Sequence, residues 1–265
     1  MQPRRYAPLG RCMYCLATGV RLTEEHLIPK AIGGRLTLRD AACEPCRART
    51  GRLEQATLDR DFAIPKTLLA MKRKRARKPG PRRLPVIALS AEPGSNAHEA
   101  DLSASRYPRS FTLPAFAPAG LLSRVDRTTT PPRVDDVSCR LQLGTIRDEA
   151  EAAARPLADP LAYGFSIAKW AYSLAVAERG LACCDTRAIR ALLAGSRIDV
   201  FNFVGNVAPA ERVARDWLHG VALQDRDGWL VVRLALFGSA GMRPYEVVIG
   251  ALEASEPPTD AWASA

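Results

Sequence analysis

The spacing of apolar residues predicts helices and strands along the C-terminal two thirds of the chain. Between Asp159 and Gly180, apolar side chains recur every three or four positions, which predicts a long helix that ends at Gly180. The apolar stripe of this helix consists of Leu161, Phe165, Ala168, Tyr172 and Ala175. A shorter helix is predicted over 185–196. Strands are predicted at 84–90, 110–116, 139–146, 219–224, 229–237 and 244–253.

The first 70 residues follow a different pattern, with short extended stretches before one helix. Gly33 and Gly34 supply a turn between two such stretches. From Arg47 onwards the sequence favours a helix. The apolar side of that helix consists of Leu53, Leu58 and Phe62. The pattern therefore predicts a small module that is built differently from the rest of the chain.

A domain boundary is predicted where the sequence Pro79-Gly80-Pro81 cannot continue a helix. We therefore predict an α+β fold of three parts: an N-terminal module over 1–70, a basic linker over 71–83, and a mixed α/β domain over 84–265. The role of the third part is not readable from its sequence, since no catalytic motif occurs in it.

Charge differs between the first 84 residues, which include the module and the linker, and the rest of the chain. Residues 1–84 contain 20 Lys and Arg against 7 Asp and Glu, whereas residues 85–265 contain 18 against 21. This asymmetry is typical of a module that binds a polyanion, joined to a nearly neutral partner. The alternative is that the basic residues only keep a small domain soluble. We favour a nucleic acid as the partner.

Composition also limits the compartment. No apolar run approaches the roughly 20 residues of a membrane span, so no membrane partner is expected. No signal peptide is visible at the N-terminus, and we expect a cytoplasmic protein. In a reducing compartment, regularly spaced cysteines indicate a metal site rather than disulfides.

Two Cys-x-x-Cys pairs carry the first candidate chemistry. Cys12 and Cys15 form one pair, and Cys43 and Cys46 form the other. Two such pairs can close a tetrahedral Cys₄ site, with Zn–S distances of about 2.3 Å. Because that site leaves no open position, the expected zinc is structural rather than catalytic.

The residues between the two cysteine pairs form a recognisable pattern with them. The combination consists, in order, of Cys12, Cys15, Glu25-His26, Pro29, Gly33-Gly34, Cys43 and Cys46. It resembles the HNH endonucleases, the zinc-stapled ββα-metal nucleases. The resemblance covers about the first 60 residues and implies a zinc-bound ββα module. It also implies metal-dependent cleavage of DNA phosphodiester bonds, with double-stranded DNA as the expected partner. In that reaction His26 is the general base, and Glu25 holds one divalent ion, Mg²⁺ or Mn²⁺, against the scissile phosphate.

The chemistry supports these residue types independently of any family. Phosphodiester hydrolysis needs a base near neutral pH, and histidine, with an ordinary pKa of about 6.5, is suited to that role. A carboxylate such as Glu25 suits a hard cation. Neighbours on a regular strand point to opposite faces, so Glu25 and His26 can serve one phosphate only if the chain bends there. The alternative is that His26 is an ordinary surface histidine.

Arg47 departs from the family pattern, which has Asn or His directly after the last cysteine. A guanidinium has no lone pair to offer a metal. Asp40 stands where the family commonly has an Asn, and either Asp40 or Glu54 could supply a second carboxylate. Arg47 could instead grip the phosphate with its bidentate fork. In the third alternative, the module is a degenerate nuclease that binds nucleic acid without cleaving it.

A basic tract follows the module, with eight Lys and Arg between Lys72 and Arg83. We expect the tract to contact DNA phosphates without reading sequence, although a charge run of this kind is more often a solvated linker. The candidate nucleic-acid-binding residues are Lys72, Arg73, Lys74, Arg75, Arg77 and Lys78.

Three further polar residues have no partner motif in the sequence. His98 falls in a predicted polar loop and His219 at the start of a predicted strand, and we interpret both as structural. Lys169 lies on the long predicted helix. It is interpreted as a side chain that packs its stem on the protein while its ammonium reaches water.

Overall fold

The structure is a computed structural model that describes residues 3–68, 71, 83–88, 98–103, 111–128, 135–139, 159–207, 218–238 and 242–252. Helices and strands are mixed within it, as the sequence predicts for an α+β protein. Among the described residues, no helix combines the length and the apolar character that crossing a lipid bilayer requires.

The N-terminal module is a three-stranded sheet followed by a helix. Strand β1 (Arg4–Tyr6) pairs parallel to β3 (Leu36–Cys43), and β2 (Leu22–His26) pairs antiparallel to β3 on its other side. A short 3₁₀ helix (Lys30–Ile32) lies between β2 and β3. Strand β3 leads directly into helix α1 (Glu44–Arg60), which completes the ββα unit.

The double glycine between β2 and β3 has two separate physical reasons. Gly33 has a φ of 91°, in the left-handed region where a side chain is strained. Gly34 lies so close to Ile28 that an added Cβ would be 1.9 Å from the Ile28 carbonyl oxygen. The predicted turn is confirmed. A side chain would be strained at Gly33 and would collide with the backbone of Ile28 at Gly34.

Helix α1 starts one turn earlier than the sequence predicted, with Pro45 in its first turn, where a missing N–H costs nothing. Its buried side chains include Thr50, Thr57 and Leu58. The expectation that Leu53 belongs to the apolar side is wrong, because Leu53 is 38% exposed. The inward face of α1 follows the spacing Thr50, Thr57 and Leu58, which leaves Leu53 to one side.

Helix α4 (Pro160–Arg179) confirms the long helix predicted from the sequence. Its predicted stripe is partly wrong, because Leu161 is 53% exposed and 14 of the 20 residues are buried. The fully buried side chains include Tyr163, Ile167 and Trp170. A helix that is buried on most sides lies inside a protein rather than on its surface. Helix α4 is therefore a core element with neighbours around it.

The neighbours of α4 on one side form a four-stranded antiparallel sheet in the order β8, β11, β10, β9. Its strands are β8 (Val204–Asn206), β9 (His219–Arg226), β10 (Trp229–Leu236) and β11 (Tyr245–Ala251). The hairpin predicted between β9 and β10 is confirmed, since Asp227 and Gly228 both have the positive φ that such a tight turn requires. On its other side, α4 packs against α1 and β2 of the N-terminal module.

The remaining described elements are short. Helix α2 (Ala63–Leu68) follows α1, and helices α3 (Gly120–Ser123), α5 (Arg187–Leu193) and α6 (Val200–Phe203) lie in the C-terminal part. Two two-stranded sheets pair β4 (Arg83–Ala88) with β5 (His98–Ser103), and β6 (Phe111–Ala115) with β7 (Asp135–Cys139). His98 thus begins a strand, so the loop predicted there is wrong. The strand predicted over 139–146 lies almost wholly outside the described residues.

One continuous hydrophobic core joins the N-terminal module to the C-terminal part. Several buried hydrogen bonds cross between them. The Tyr172 hydroxyl donates to the Met13 carbonyl oxygen at 2.6 Å, and the Thr57 hydroxyl donates to the Ala162 carbonyl oxygen at 3.1 Å. His219 Nε2 lies 2.6 Å from the Ile32 carbonyl oxygen, which gives this buried histidine a structural role. Helix α4 is therefore in a position to contribute side chains to the module.

A buried carboxyl group at the end of α1 links stability to pH. Asp61 is 4% exposed, and within the described structure neither of its carboxylate oxygens has a hydrogen-bond partner. Burial raises the pKa of Asp61 to about 7, against the opposing charge of Arg60 and with a smaller contribution from Asp159. The folded protein therefore keeps this proton up to about pH 7, whereas the unfolded chain loses it near pH 4.

We expect Asp61→Asn to stabilise the protein above pH 7. Because the folded state binds the proton more tightly, stability falls as pH rises from about 4 to about 7 and stays low above that. The neutral amide removes this loss, which is on the order of 2–4 kcal/mol. Thermal melts at pH 8.5 and 5.5 check the expectation. The variant should melt several degrees higher at pH 8.5, and its advantage should shrink at pH 5.5. An advantage of the same size at both pH values would contradict it.

Candidate active site

Four thiols gather at the base of the N-terminal module. The sulfur atoms of Cys12, Cys15, Cys43 and Cys46 all lie within 4.8 Å of one another. Cys12 and Cys15 come from a tight loop closed by the hydrogen bond from the Leu16 N–H to the Cys12 carbonyl oxygen at 2.8 Å. Cys43 ends β3 and caps α1, and Cys46 lies in the first turn of that helix.

This donor set fits a zinc ion. Four convergent thiols with two Cys-x-x-Cys spacings match a closed tetrahedral site, and the positive end of the helix dipole favours thiolates at its N-terminus. Burial raises the pKa of Cys12, but backbone N–H groups of Cys43, Cys15 and Tyr14 outweigh it and lower the pKa to about 7. A zinc ion bound by all four thiols would hold the loop, the strand and the helix together, and it would leave no position for a substrate.

His26 ends β2, where the strand is irregular. The pairing between β2 and β3 shifts between Thr23 and Glu25, so residues 39–41 of β3 lie opposite Glu24 alone. Asp40, within that bulge, has a φ of 46°. The extra residues lie on β3, and along β2 Glu25 is buried at 4% exposure whereas His26 is half-buried. The bend in β2 that the sequence analysis required, so that both side chains serve one phosphate, is therefore not shown by this irregularity.

The His26 imidazole is partly accessible to solvent. Its side chain is 32% exposed, and Nε2 lies 3.8 Å from Oε1 of Glu24. Nδ1 is buried and has no hydrogen-bond partner among the described residues. Burial, and after it the charge of Lys30, holds the pKa of His26 below its ordinary value. The imidazole is therefore neutral near pH 7, the form that accepts a proton.

Behind His26, two carboxylates meet one ammonium. Lys169 Nζ lies 2.8 Å from Oε1 of Glu25 and 2.9 Å from Oε1 of Glu54. The Trp170 indole N–H donates to the same Glu54 oxygen at 2.6 Å. Glu25 comes from β2, Glu54 from α1 and Lys169 from α4, so three elements meet at this point. We call these three residues the Glu–Lys–Glu cluster.

Glu25 and Lys169 of the Glu–Lys–Glu cluster are buried, and Glu54 is partly exposed. Burial raises the pKa of Glu25, and the charge of Lys169 opposes that rise. Lys169 is 5% exposed, so the interpretation that its ammonium reaches water is wrong. Burial alone would lower the pKa of Lys169, but the charges of Glu25 and Glu54 outweigh it and raise the pKa above its ordinary value. The ammonium therefore stays protonated. A buried lysine keeps its charge only where such partners compensate it.

The Glu–Lys–Glu cluster disfavours the divalent ion that the sequence analysis expected at Glu25. The Glu25 carboxylate already has a cation, and an added ion beside that ammonium would be repelled. Two unit charges 4 Å apart interact by about 4 kcal/mol at an effective dielectric of about 20, and a divalent ion doubles that value. Among the described residues, only the four thiols form a set of three or more metal-ligating side chains. The residues in this arrangement do not fit Mg²⁺ or Mn²⁺.

The other two predicted site residues are Asp40 and Arg47, and both are exposed. Asp40 is exposed on the bulge of β3. Arg47 is exposed in the first turns of α1, where its guanidinium makes a bidentate pair with Glu44 at 2.7 and 3.1 Å. That geometry is the one a guanidinium also uses toward phosphate. The predicted residues of the basic tract, from Lys72 to Lys78, lie outside the described residues.

Sequence analysis missed Lys169 and Trp170 as site residues. A signal existed, since Lys169 is a charged residue in the middle of an otherwise apolar helix. Such a residue is buried only when it is paired, and the sequence did not name its partner.

The geometry defines a ββα module that combines four convergent thiols, which suit a zinc ion, with a half-buried histidine at the end of its second strand. Comparison with known families gives the same class, because the HNH endonuclease family model matches residues 12–63. The N-terminal module is thus similar to the HNH endonucleases over these residues, and the match supports a nuclease-family function in the general sense. Lys169 lies outside the matched range. No curated protein and no solved structure gives a significant match to the chain.

Proposed function

We propose that the protein is an endonuclease that cleaves DNA phosphodiester bonds with His26 as the general base. The observation that carries the proposal is the position of His26, half-exposed and neutral, at the end of β2 in a module of the HNH family. In the proposed step, His26 accepts a proton from water as the water oxygen bonds to phosphorus. The bond to the leaving oxygen breaks, and that oxygen takes a proton from solvent. General base catalysis of this kind contributes about 10²–10⁴-fold to the rate.

The charge of the exposed surface of the module supports a polyanionic substrate. The exposed basic residues of the module include Arg21, Lys30, Arg35, Arg39, Arg47, Arg49 and Arg52. Arg47 is the one that stands where the family has a metal ligand, and we propose that it contacts the scissile phosphate. Its present partner, Glu44, is an exposed carboxylate on the same helix, and exposed pairs of this kind are weak enough to exchange for a phosphate.

A second candidate function is binding without cleavage. One contact and one chemical argument favour it. Lys169 pairs with Glu25, and the guanidinium of Arg47 has no lone pair with which to replace the missing metal ligand. A panel of supercoiled plasmid, linear duplex, single-stranded DNA and RNA separates the two candidates and the substrates. Cleavage of the duplex DNAs, with the RNA left intact, supports the proposed function. Binding of every substrate with none cleaved supports the second candidate.

We further propose that the basic tract strengthens DNA binding without sequence preference. Replacing Lys72, Arg73, Lys74 and Arg75 by Gln should weaken binding to all DNA sequences alike. It should also reduce the slope of log K against log salt by up to about 4, because each phosphate contact releases close to one counterion. Fluorescence anisotropy at several salt concentrations measures both effects. A variant with the tract in scrambled order keeps the charge and should behave like the wild type. An unchanged slope in the Gln variant would make the tract a linker only.

A further inference from the structure

Two carboxylates from different elements converge on a single point in this protein. Oε1 of Glu25 and Oε1 of Glu54 both lie within 3 Å of Lys169 Nζ, at 2.8 and 2.9 Å. A point shared by two carboxylate oxygens is where a hard cation binds in proteins. In this chain, the cation at that point is an ammonium, supplied by a helix outside the range that matches the HNH family.

Contacts before and after Lys169 fix the position of α4 against the N-terminal module. One turn before Lys169, the Ser166 hydroxyl donates to the Thr57 hydroxyl of α1 at 3.0 Å. Directly after it, the Trp170 indole N–H binds Glu54. Three residues on, the Tyr172 hydroxyl binds the Met13 carbonyl oxygen. The lysine therefore cannot leave its two carboxylates through a shift of α4 without breaking buried hydrogen bonds on both sides.

We propose that Lys169 is the resident cation of the HNH module, held at the point where Glu25 and Glu54 would otherwise bind a divalent ion. The wild-type protein then holds no divalent ion at Glu25, and removing the ammonium opens a two-carboxylate site. The inference goes beyond the proposed function. It concerns cation binding and holds whether or not the module cleaves DNA.

The test is Mn²⁺ binding to the full-length, zinc-loaded protein, followed through the electron paramagnetic resonance signal of free Mn²⁺. Wild type should show no binding that depends on Glu25, so its titration should match that of Glu25→Gln. Lys169→Met removes the charge while keeping an unbranched side chain. It should bind one Mn²⁺ at least about tenfold more tightly than wild type, because two free carboxylates suit this ion. The double variant Lys169→Met, Glu54→Gln should lose that gain.

Arg47→Asn is the matched control, because it restores the residue type of the family at the other candidate position. It should titrate like the wild type, since Lys169 still occupies Glu25. Gain of Mn²⁺ binding in Arg47→Asn, or Mn²⁺ binding in wild type that Glu25→Gln abolishes, would overturn the proposal. A folded Lys169→Met protein, judged by circular dichroism, that gains no Mn²⁺ binding would also overturn it. If Lys169→Met does not fold, the comparison of wild type with Glu25→Gln decides alone.

Discussion

Replacing Cys46 by Ser is expected to unfold the N-terminal module and to lower the melting temperature by about 10 °C or more. The module is small, and its loop, strand and helix meet at the four thiols. In modules of this size, metal binding supplies much of the folding free energy, on the order of 10 kcal/mol. Because one hydrophobic core joins the module to α4, the loss should reach the C-terminal part as well.

Zinc content by elemental analysis and thermal melts by circular dichroism measure this expectation. The wild type should contain one zinc per chain, and Cys46→Ser should contain much less. Cys183→Ser is the matched control, because Cys183 lies outside the thiol cluster and is only half-buried. It should keep its zinc and melt close to the wild type. Wild-type protein without zinc, or a Cys46→Ser variant that melts like the wild type, would contradict the structural role of the metal.

The longer elements of the fold could be predicted from sequence because their apolar periods are long enough to read. Helix α4 and strands β9, β10 and β11 repeat their pattern over seven to 20 residues. Strands β1 and β8 and helix α3, at three or four residues, are too short to show a period. The side of α4 that faces inward could not be read, because a helix that is buried on most sides has no single apolar stripe.

The candidate site also contains residues that could be predicted from the sequence and residues that could not. The zinc ligands and His26 are local features of sequence, set by the cysteine spacing and by the residues between the pairs. The shared partner of Glu25 and Glu54 is not local, because Lys169 lies 115 residues from Glu54 and still further from Glu25 along the chain. The packing of α4 against α1 and β2 brings the three residues together. The sequence therefore predicted a carboxylate ready for a metal, whereas the fold gives that carboxylate a lysine.

His26→Ala is expected to reduce DNA cleavage by about 10²-fold or more, since it removes the proposed general base, the single histidine in the sequence of the module. The side chain is 32% exposed and its Nδ1 makes no hydrogen bond among the described residues, so the substitution should cost little stability. Zinc content and melting temperature check that the variant is folded. His98→Ala, the same change on β5 outside the module, is the control and should cleave at the wild-type rate.

The most direct measurement of the proposed function is the nicking of supercoiled plasmid over time by wild type and His26→Ala at equal protein and zinc content. Reactions with and without added Mg²⁺ are run in parallel, so that the result does not depend on the cation that the site uses. The proposed function predicts that nicked and linear DNA accumulate with the wild type and stay at background with His26→Ala. Equal rates for the two proteins, or no cleavage by the wild type under either condition, would contradict it.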